Sequence, residues 1–247
     1  MRLSTMMSLT GLAVVCFSGA PRTARAQVLP EVLQAQHRPP VGIELSLGGR
    51  ADRLGGGGFD AFSEDRWMAE SVLAASYRVA GSGDSGMSVG ASWNHGSASS
   101  TARGTETSLA LDRLSLSLGA QRAVGRRLTF FARLAPGVVR LHAGLAESSV
   151  LNANQYGTEI TLSQTHWALA VEGAAGAAFR VGELARPREH VLALWLTAEG
   201  GYGLAGSTTL ALASNQGTAP ARTDAPVRLG TVTPGGAFMS FAAALTF

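Results

Sequence analysis

The last eleven residues alternate between apolar side chains and side chains that are, on balance, smaller and more polar. From Ala237 to Phe247 every second residue is apolar, and the chain ends on an aromatic residue. A period of two predicts a β-strand with one apolar face. A tilted strand of about 9–11 residues is long enough to cross an outer membrane.

The same alternation recurs along the chain and predicts an all-β protein. Connections at 50–66, 146–164 and 205–235 are long, whereas those at 81–86, 121–127 and 181–190 are short. Alternating long loops and short turns are typical of a transmembrane antiparallel up-and-down β-barrel. Eight strands are predicted, and weak alternation over Thr208–Ala213 leaves a ten-stranded variant open. The predicted strands are 41–49, 67–79, 87–95, 105–120, 128–141, 165–180, 191–204 and 237–247.

Two of these strands contain an irregularity. In the fourth strand the apolar parity changes between Leu111 and Leu114, which predicts a bulge near Asp112. Pro136 lies inside the fifth strand, where it also favours a bulge because proline cannot donate a ladder hydrogen bond.

The C-terminal strand resembles the closing strand of bacterial outer-membrane β-barrels, in which a terminal Phe after alternating apolar residues is the insertion signal. The resemblance assigns that signal to Phe241, Leu245 and Phe247. It implies the barrel-assembly machinery as a partner during insertion. From Val41 to Phe247 the pattern resembles the small eight-stranded barrels of the OmpA/OmpX type.

The resemblance also implies a function. We expect an integral outer-membrane protein, in contact with outer-membrane lipid, whose long extracellular loops have a structural or surface-interaction role. A monomer without enzymatic activity is expected, and the extracellular ligand is not identified. A narrow pore for ions or small solutes is the alternative.

The N-terminus predicts export. Arg2 precedes an apolar run from Met6 to Phe17, and Ala24-Arg25-Ala26 fits a small-x-small cleavage site. Residues 1–26 are therefore interpreted as a cleaved signal peptide, 27–40 as a periplasmic lead-in and 41–247 as the barrel. Cys16, the only cysteine, lies in the predicted signal peptide, so the mature chain would have neither a disulfide nor a catalytic thiol.

The charge balance argues against nucleic acid as a partner. The full chain has 20 Lys and Arg residues against 17 Asp and Glu residues. Removing Arg2, Arg22 and Arg25 with the signal peptide leaves 17 against 17, a formal net charge of zero. A balanced chain offers no electrostatic basis for binding phosphates along a nucleic acid.

Aromatic residues near the ends of the predicted strands fit two interfacial girdles, one at each edge of a membrane. The proposed girdle residues are Trp67, Tyr77, Trp93, Trp167, Phe179, Tyr202 and Phe238.

Charged residues share the polar parity of several strands. An eight-stranded barrel is just wide enough for side chains to fill it, and buried charges are tolerated only when paired. We therefore expect a packed ionic interior, with a gated ion pathway as the alternative. The predicted cluster is Glu44, Glu70, Arg78, Arg133, Glu172, Arg180 and Glu199.

One segment suggests catalysis. His95-Gly96-Ser97, with Glu106 further along, could form an activated nucleophile. It is similar to the His-x-Ser motif of outer-membrane lipid A deacylases, which makes a lipid-modifying enzyme the second alternative. The chain departs from that family because Ala98 follows Ser97 where Asn is expected, and because the motif lies in the N-terminal half. No catalytic, cofactor or metal residues are assigned, since the histidines are scattered singly and Gly55–Gly58 lacks the Lys of a phosphate-binding loop.

Overall fold

The computed structural model describes residues 42–63, 66–82, 84–102, 105–147, 160–185, 191–214 and 226–247. The predicted signal peptide (1–26) and lead-in (27–40) lie outside the described residues. Within these ranges no helix has the length and apolar character needed to cross a bilayer.

Nearly all of the described residues form β-strands. The strands are β1 (Ile43–Arg53), β2 (Trp67–Ser82), β3 (Ser85–Ala102), β4 (Thr105–Val124), β5 (Leu128–Glu147), β6 (Ile160–Ala185), β7 (Val191–Ala205), β8 (Thr208–Ser214), β9 (Val227–Val232) and β10 (Ala237–Thr246). A short 3-10 helix, Phe59–Ala61, lies between β1 and β2.

Eight strands close into a ring. The hydrogen-bonded order is β1, β2, β3, β4, β5, β6, β7 and β10, and β10 pairs with β1. Every pairing in the ring is antiparallel. The fold predicted from the alternation, an all-β transmembrane up-and-down barrel of eight strands, is confirmed. We call the end with the connections β1–β2, β3–β4, β5–β6 and β7–β10 the loop end, and the opposite end the turn end.

The β8–β9 hairpin occupies the connection between β7 and β10. The two strands pair with each other, and β8 also pairs with β6 through Leu162↔Ser214 and Ser163↔Ala213. Strand β8 thus continues along β6 beyond the end of β7. The weak alternation over Thr208–Ala213 marks a real strand, but the closed ring keeps eight strands rather than ten.

The outer surface of the ring carries a broad apolar belt. Leu47 on β1 is 65% exposed, Leu116 on β4 is 67% exposed and Leu169 on β6 is 79% exposed. Such exposure of large apolar side chains is unfavourable in water and favourable in lipid. On this part of the barrel the inward positions carry small or polar residues, such as Glu44, Ser46 and Gly48 on β1.

The apolar side of β4 changes along the strand. Leu114, Leu116 and Leu118 are more than half exposed, whereas Leu109 and Leu111 are buried. The pairing of β4 with β3 is nevertheless continuous from Ser85↔Arg122 to Ala102↔Thr105. The predicted bulge near Asp112 is therefore wrong. The parity changes because β4 leaves the lipid belt and its inner face joins a hydrophobic core.

That core fills the loop end of the barrel. Phe59 and Phe62, from the segment between β1 and β2, are fully buried in it, and Thr107 on β4 donates a hydrogen bond of 2.8 Å to the carbonyl oxygen of Ala61. The other buried members come from six strands and from Leu54. They are Met68, Leu109, Leu111, Val139, Leu141, Ala143, Leu162, Leu210, Leu212 and Val232.

Several predicted loops are partly strand. The third strand was predicted to end at residue 95, but β3 runs on to Ala102 in continuous pairing with β4. The alternation of large apolar residues stops there because outward positions face water and inward ones are small. Pro136 causes no register shift: pairing with β4 is interrupted between Gly137 and Leu134 and resumes in the same register.

Candidate functional site: the charged lumen and an outward polar row

The central feature of the lumen is a buried network of two arginines and three carboxylates. Arg50 on β1 binds Glu172 on β6 through both terminal nitrogens, at 2.9 and 2.7 Å, and also contacts Asp52 at 3.0 Å. Arg113 on β4 contacts Asp52 and Glu172, each at 2.7 Å. Two guanidinium groups thus cross-link three strands through charge-assisted contacts.

Glu70, the third carboxylate, is held more loosely. Its Oε2 atom lies 3.7 Å from Nε of Arg50 and 3.7 Å from Nη1 of Arg113. Neither carboxylate oxygen of Glu70 has a hydrogen-bond partner among the described residues. The network therefore has one more carboxylate than guanidinium groups, and Glu70 is its weakest member.

Neighbouring groups fix the two arginines from other directions. The guanidinium of Arg50 lies over the ring of Phe238, with 3.7 Å from Cζ to the ring centroid, which is a cation–π contact. Arg113 donates to the carbonyl oxygen of Pro234 at 3.2 Å. The network is thus tied both to the closing strand β10 and to the segment just before it.

Four further charged residues lie in the lumen nearer the turn end. Arg133 on β5 binds Glu199 on β7 through two parallel hydrogen bonds, of 2.9 and 2.7 Å. Glu44 and Arg78 are inward-facing on β1 and β2. Arg78 crosses Gly86, where a Cβ atom would lie 2.7 Å from its Nε, so a larger residue at that position would displace the guanidinium.

The structure brings most of the predicted cluster into the lumen but divides it. Glu70 and Glu172 belong to the central network, Arg133 and Glu199 form a separate pair, and Glu44 lies with Arg78. Arg180 belongs to none of these groups. It pairs with the exposed Glu183 near the turn end and lies over Trp195.

Three members of the central network were missed by sequence reasoning. Arg50 and Asp52 lie on β1 beyond its predicted end at residue 49, and Arg113 lies where a bulge was expected. The signal that could have found them is the alternation of inward and outward positions along each strand. Arg113 alternates with the outward Leu114, and Arg50 and Asp52 keep the inward parity of Glu44.

The lumen is filled at two successive levels. Both arginines of the central network are almost completely buried, at 4% and 1% exposure for Arg50 and Arg113. The hydrophobic core with Phe59 and Phe62 fills the loop end. Across the described part of the chain, no three His, Cys, Asp or Glu side chains are grouped to hold a metal ion.

The predicted girdle residues divide into six that face outward and one that does not. Phe238 is 4% exposed and packs under Arg50, so its assignment to a membrane-facing girdle is wrong. It occupies an inward position of β10, between the outward Ala237 and Met239. The outward six are Trp67, Tyr77, Trp93, Trp167, Phe179 and Tyr202, all more than 40% exposed.

The residues of the predicted insertion signal share the outward face of β10. Phe241, Leu245 and Phe247 are 63%, 38% and 47% exposed. Their role in insertion stays a prediction.

An outward row of interacting side chains crosses β3 to β6 just beyond the apolar belt. His95 on β3 binds Asp112 on β4, with 2.8 Å between Nδ1 and Oδ1. The other oxygen of Asp112 lies 3.9 Å from Nη1 of Arg140 on β5. Arg140 in turn lies over Trp167 on β6, with 5.9 Å from Cζ to the ring centroid. We call these four residues the polar row.

The polar row changes the catalytic hypothesis. The side-chain partner of His95 is Asp112 and not Glu106. In the strand register Glu106 lies opposite Thr101 of β3 and Ala146 of β5, nearer the loop end. Ser97 shares the outward face with His95, but no hydrogen bond between their side chains is present in the described structure. The nucleophile and base of a deacylase are therefore not joined here.

Comparisons with known proteins give matches among solved structures alone. No protein-family model matches, and neither does any curated protein. Ail, the attachment invasion locus protein of Yersinia pestis, aligns with a TM-score of 0.44 at 14% identity, over 83% of this chain and 98% of Ail. Neisserial surface protein A gives 0.43 at 12%, over 83% and 95%. A major outer membrane protein from Thermus thermophilus gives 0.40 at 12%, over 83% and 99%.

These likenesses are too distant to carry an argument about function. The architecture rests on the closed ring of eight strands, its apolar belt and its charged lumen. The chain has the fold of a small outer-membrane β-barrel.

Proposed function

We propose that this protein is a sealed outer-membrane barrel that anchors a rigid β-structured extension on the cell surface, where the extension makes contacts with other molecules. The observation that carries the proposal is the reversal along β4. Its outer face is apolar in the belt, and its inner face is apolar beyond the belt. Beyond the belt the strands therefore enclose a hydrophobic core and present a polar outer surface, which is the arrangement that a structure surrounded by water requires.

The filled lumen supports a structural role over a pore. An ion crossing the barrel would have to displace the paired charges of Arg50, Arg113 and Glu172, and then pass the buried Phe59 and Phe62. Breaking a buried ion pair without replacing it is strongly unfavourable. The narrow-pore alternative would need both layers to open together.

A lipid-modifying enzyme is supported less well. Acyl transfer by a Ser/His pair requires the hydroxyl to contact the base. The described structure holds the imidazole of His95 on Asp112 without a contact to Ser97.

The proposal includes the predicted route to the membrane. The chain would be exported by its signal peptide, inserted by the barrel-assembly machinery through its C-terminal strand, and held in outer-membrane lipid as a monomer. Its loop end would face outward from the cell.

Conductance tests the sealed lumen. We expect the purified mature barrel to give flat current traces in planar bilayers, and the double variant Glu172→Gln/Glu199→Gln to be flat as well. A purified porin shows that the bilayer can report channels. Stable conductance steps from the folded wild-type chain would overturn the proposed sealing.

Labelling on intact cells tests the orientation. Cys16 lies in the predicted signal peptide, so an introduced cysteine would be the only thiol of the mature chain. We expect a membrane-impermeant maleimide to label Ser99→Cys, which is exposed on β3 beyond the belt. Arg126→Cys, in the turn between β4 and β5, is the matched control that should react only after the outer membrane is permeabilised. The reverse pattern would contradict the proposed orientation.

A further inference from the structure

Three members of the polar row, His95, Asp112 and Arg140, lie at the first outward polar positions after the apolar belt on three neighbouring strands. On β3 the outward Val89, Ala91 and Trp93 precede His95. On β4 the exposed Leu116 and Leu114 lead to Asp112. On β5 the exposed Leu134 precedes Pro136, Val138 and then Arg140. A row in this position meets the boundary between acyl chains and headgroups of the surrounding lipid.

Arg140 is the group in the row that is available to a ligand. Its side chain is 45% exposed, and in the part of the chain that the structure describes its guanidinium donates no hydrogen bond to protein. The nearest carboxylate oxygen, Oδ2 of Asp112, is 3.9 Å away, because Oδ1 is engaged by His95. A guanidinium with free donors at this depth is suited to a phosphate group, which it can bind through two parallel hydrogen bonds.

A shallow, open groove lies on β1 to β4 toward the turn end, and it shares β3 and β4 with the polar row. Ala75 on β2 faces Ala91 on β3, and these small side chains leave a depression of about 530 Å³ between larger neighbours on the lipid-facing surface. Ala91 precedes His95 by four residues, which is about 13 Å along a strand. The larger neighbours that border the depression are Ile43, Tyr77, Val89 and Leu116.

The surface beyond the row leaves room for a bulky headgroup. Several outward positions there carry small residues, such as Ser97, Ser99, Ser108 and Gly144, and the larger His142 and Glu106 lie further along the same face. The serine hydroxyl groups can form hydrogen bonds with sugar rings, and the small residues leave space for those rings.

We propose that this outward face holds one molecule of a phosphorylated glycolipid of the outer leaflet. Its phosphate would bind Arg140, its sugars would lie over the small polar surface, and one acyl chain would occupy the Ala75–Ala91 groove. Asp112 positions Arg140 and His95 rather than contacting the ligand. The proposal needs the barrel to lie in the outer membrane but is independent of whether its lumen conducts.

Native mass spectrometry of the barrel in detergent micelles tests this proposal. The probes are bis-phosphorylated lipid A, its dephosphorylated form, and phosphatidylglycerol. We expect the wild type to bind one lipid A and to prefer it over both other lipids. Losing hydrogen bonds from a charged donor should weaken binding about tenfold in Arg140→Gln. Ala91→Leu, which fills the groove, should weaken binding several-fold.

Matched controls separate site loss from general damage. Arg126→Gln removes an exposed arginine at the turn end, and Ala132→Leu enlarges an outward alanine on β5 away from the groove; both should bind as the wild type does. Heat-modifiable gel mobility shows that each variant is folded. Three results would overturn the proposal: equal binding of dephosphorylated lipid A, equal binding of phosphatidylglycerol, or site variants that match their controls. A chain dimer that Ala91→Leu disrupts would assign the groove to a second copy instead.

Discussion

The same strands form two halves of the barrel whose apolar residues lie on opposite faces. Toward the turn end, large apolar side chains point outward and charged or small ones point inward. Toward the loop end, outward positions are polar and a hydrophobic core fills the interior. Strand β4 passes through both halves without a register shift, so its two ends differ only in which face meets an apolar environment. The point on β4 at which the apolar residues change from the outer to the inner face therefore marks the edge of the lipid.

The largest expected effect comes from breaking the charged layer between the halves. Arg113→Ala would leave Asp52 and Glu172 without one of their two cationic partners, and losing one partner of a buried ion pair costs about 3–5 kcal/mol. Urea unfolding in lipid vesicles, followed by tryptophan fluorescence, measures the loss. Arg140→Ala is the matched control, because its side chain is 45% exposed and exposed substitutions change stability by about 0.5 kcal/mol. Equal losses in the two variants would refute a buried network.

Two leucines on β4 compare the halves directly. Leu111 is fully buried, whereas Leu116 is 67% exposed on the belt. Leu111→Ala should cost about 2–5 kcal/mol because it leaves a cavity in packed protein. Leu116→Ala should cost less, since lipid can fill the vacated space. The same unfolding assay ranks them, and a larger loss at Leu116 would place the core on the wrong side of the strand.

A charged substitution locates the edge of the lipid. Leu116→Arg places a charge on the lipid-facing surface and should cost about 2–4 kcal/mol near the middle of the bilayer. Ser108→Arg lies eight residues away on the same outward face, beyond the polar row, and should change stability by about 0.5 kcal/mol or less. The yield of folded protein in vesicles and its urea midpoint check both values. Comparable damage at the two positions would mean that lipid extends past the polar row.

The smallest effect on stability is expected at the C-terminus. Phe247 is 47% exposed, so Phe247→Ala should reduce the free energy of unfolding by about 1 kcal/mol. Assembly in cells should suffer much more, because the residue is expected to act in recognition. Pulse-chase labelling of the outer-membrane fraction measures assembly, and Leu194→Ala, an outward residue of β7, is the control. Normal assembly of Phe247→Ala would remove the insertion signal from this account.

Sequence alternation predicts the belt half of this fold well and the loop half poorly. In the belt, outward positions must be apolar, and strands such as β10 therefore show a clear period of two. Beyond the belt, the outward positions of β3 are Ser and Thr and its inward positions are Gly, Ala and Ser, so the sequence of this part of the strand shows no hydrophobic alternation. On β4 the apolar residues change from one face to the other, and in the sequence this change of parity looks the same as the one that a bulge produces.

The charged lumen was predictable in kind but not in partners. Parity placed Glu70, Glu172 and Glu199 inside, but which arginine meets which carboxylate depends on the stagger of strands around the ring. Arg50 and Glu172 are 122 residues apart and meet across the lumen. The outward pair of His95 and Asp112 depended on the same register, which is why Glu106 was the wrong carboxylate.

The segment between β1 and β2 docks on the last hairpin of the chain. Gly55 exchanges two backbone hydrogen bonds with Thr233, and Gly58 donates one to Thr231. The contact requires glycine on both sides, because a Cβ on Gly58 would lie 2.9 Å from the backbone of Gly230, itself at a φ of 106°. The segment that carries Phe59 and Phe62 into the lumen is thus fastened to residues near the other end of the chain. Two parts of the sequence that lie far apart therefore close the mouth of the barrel together.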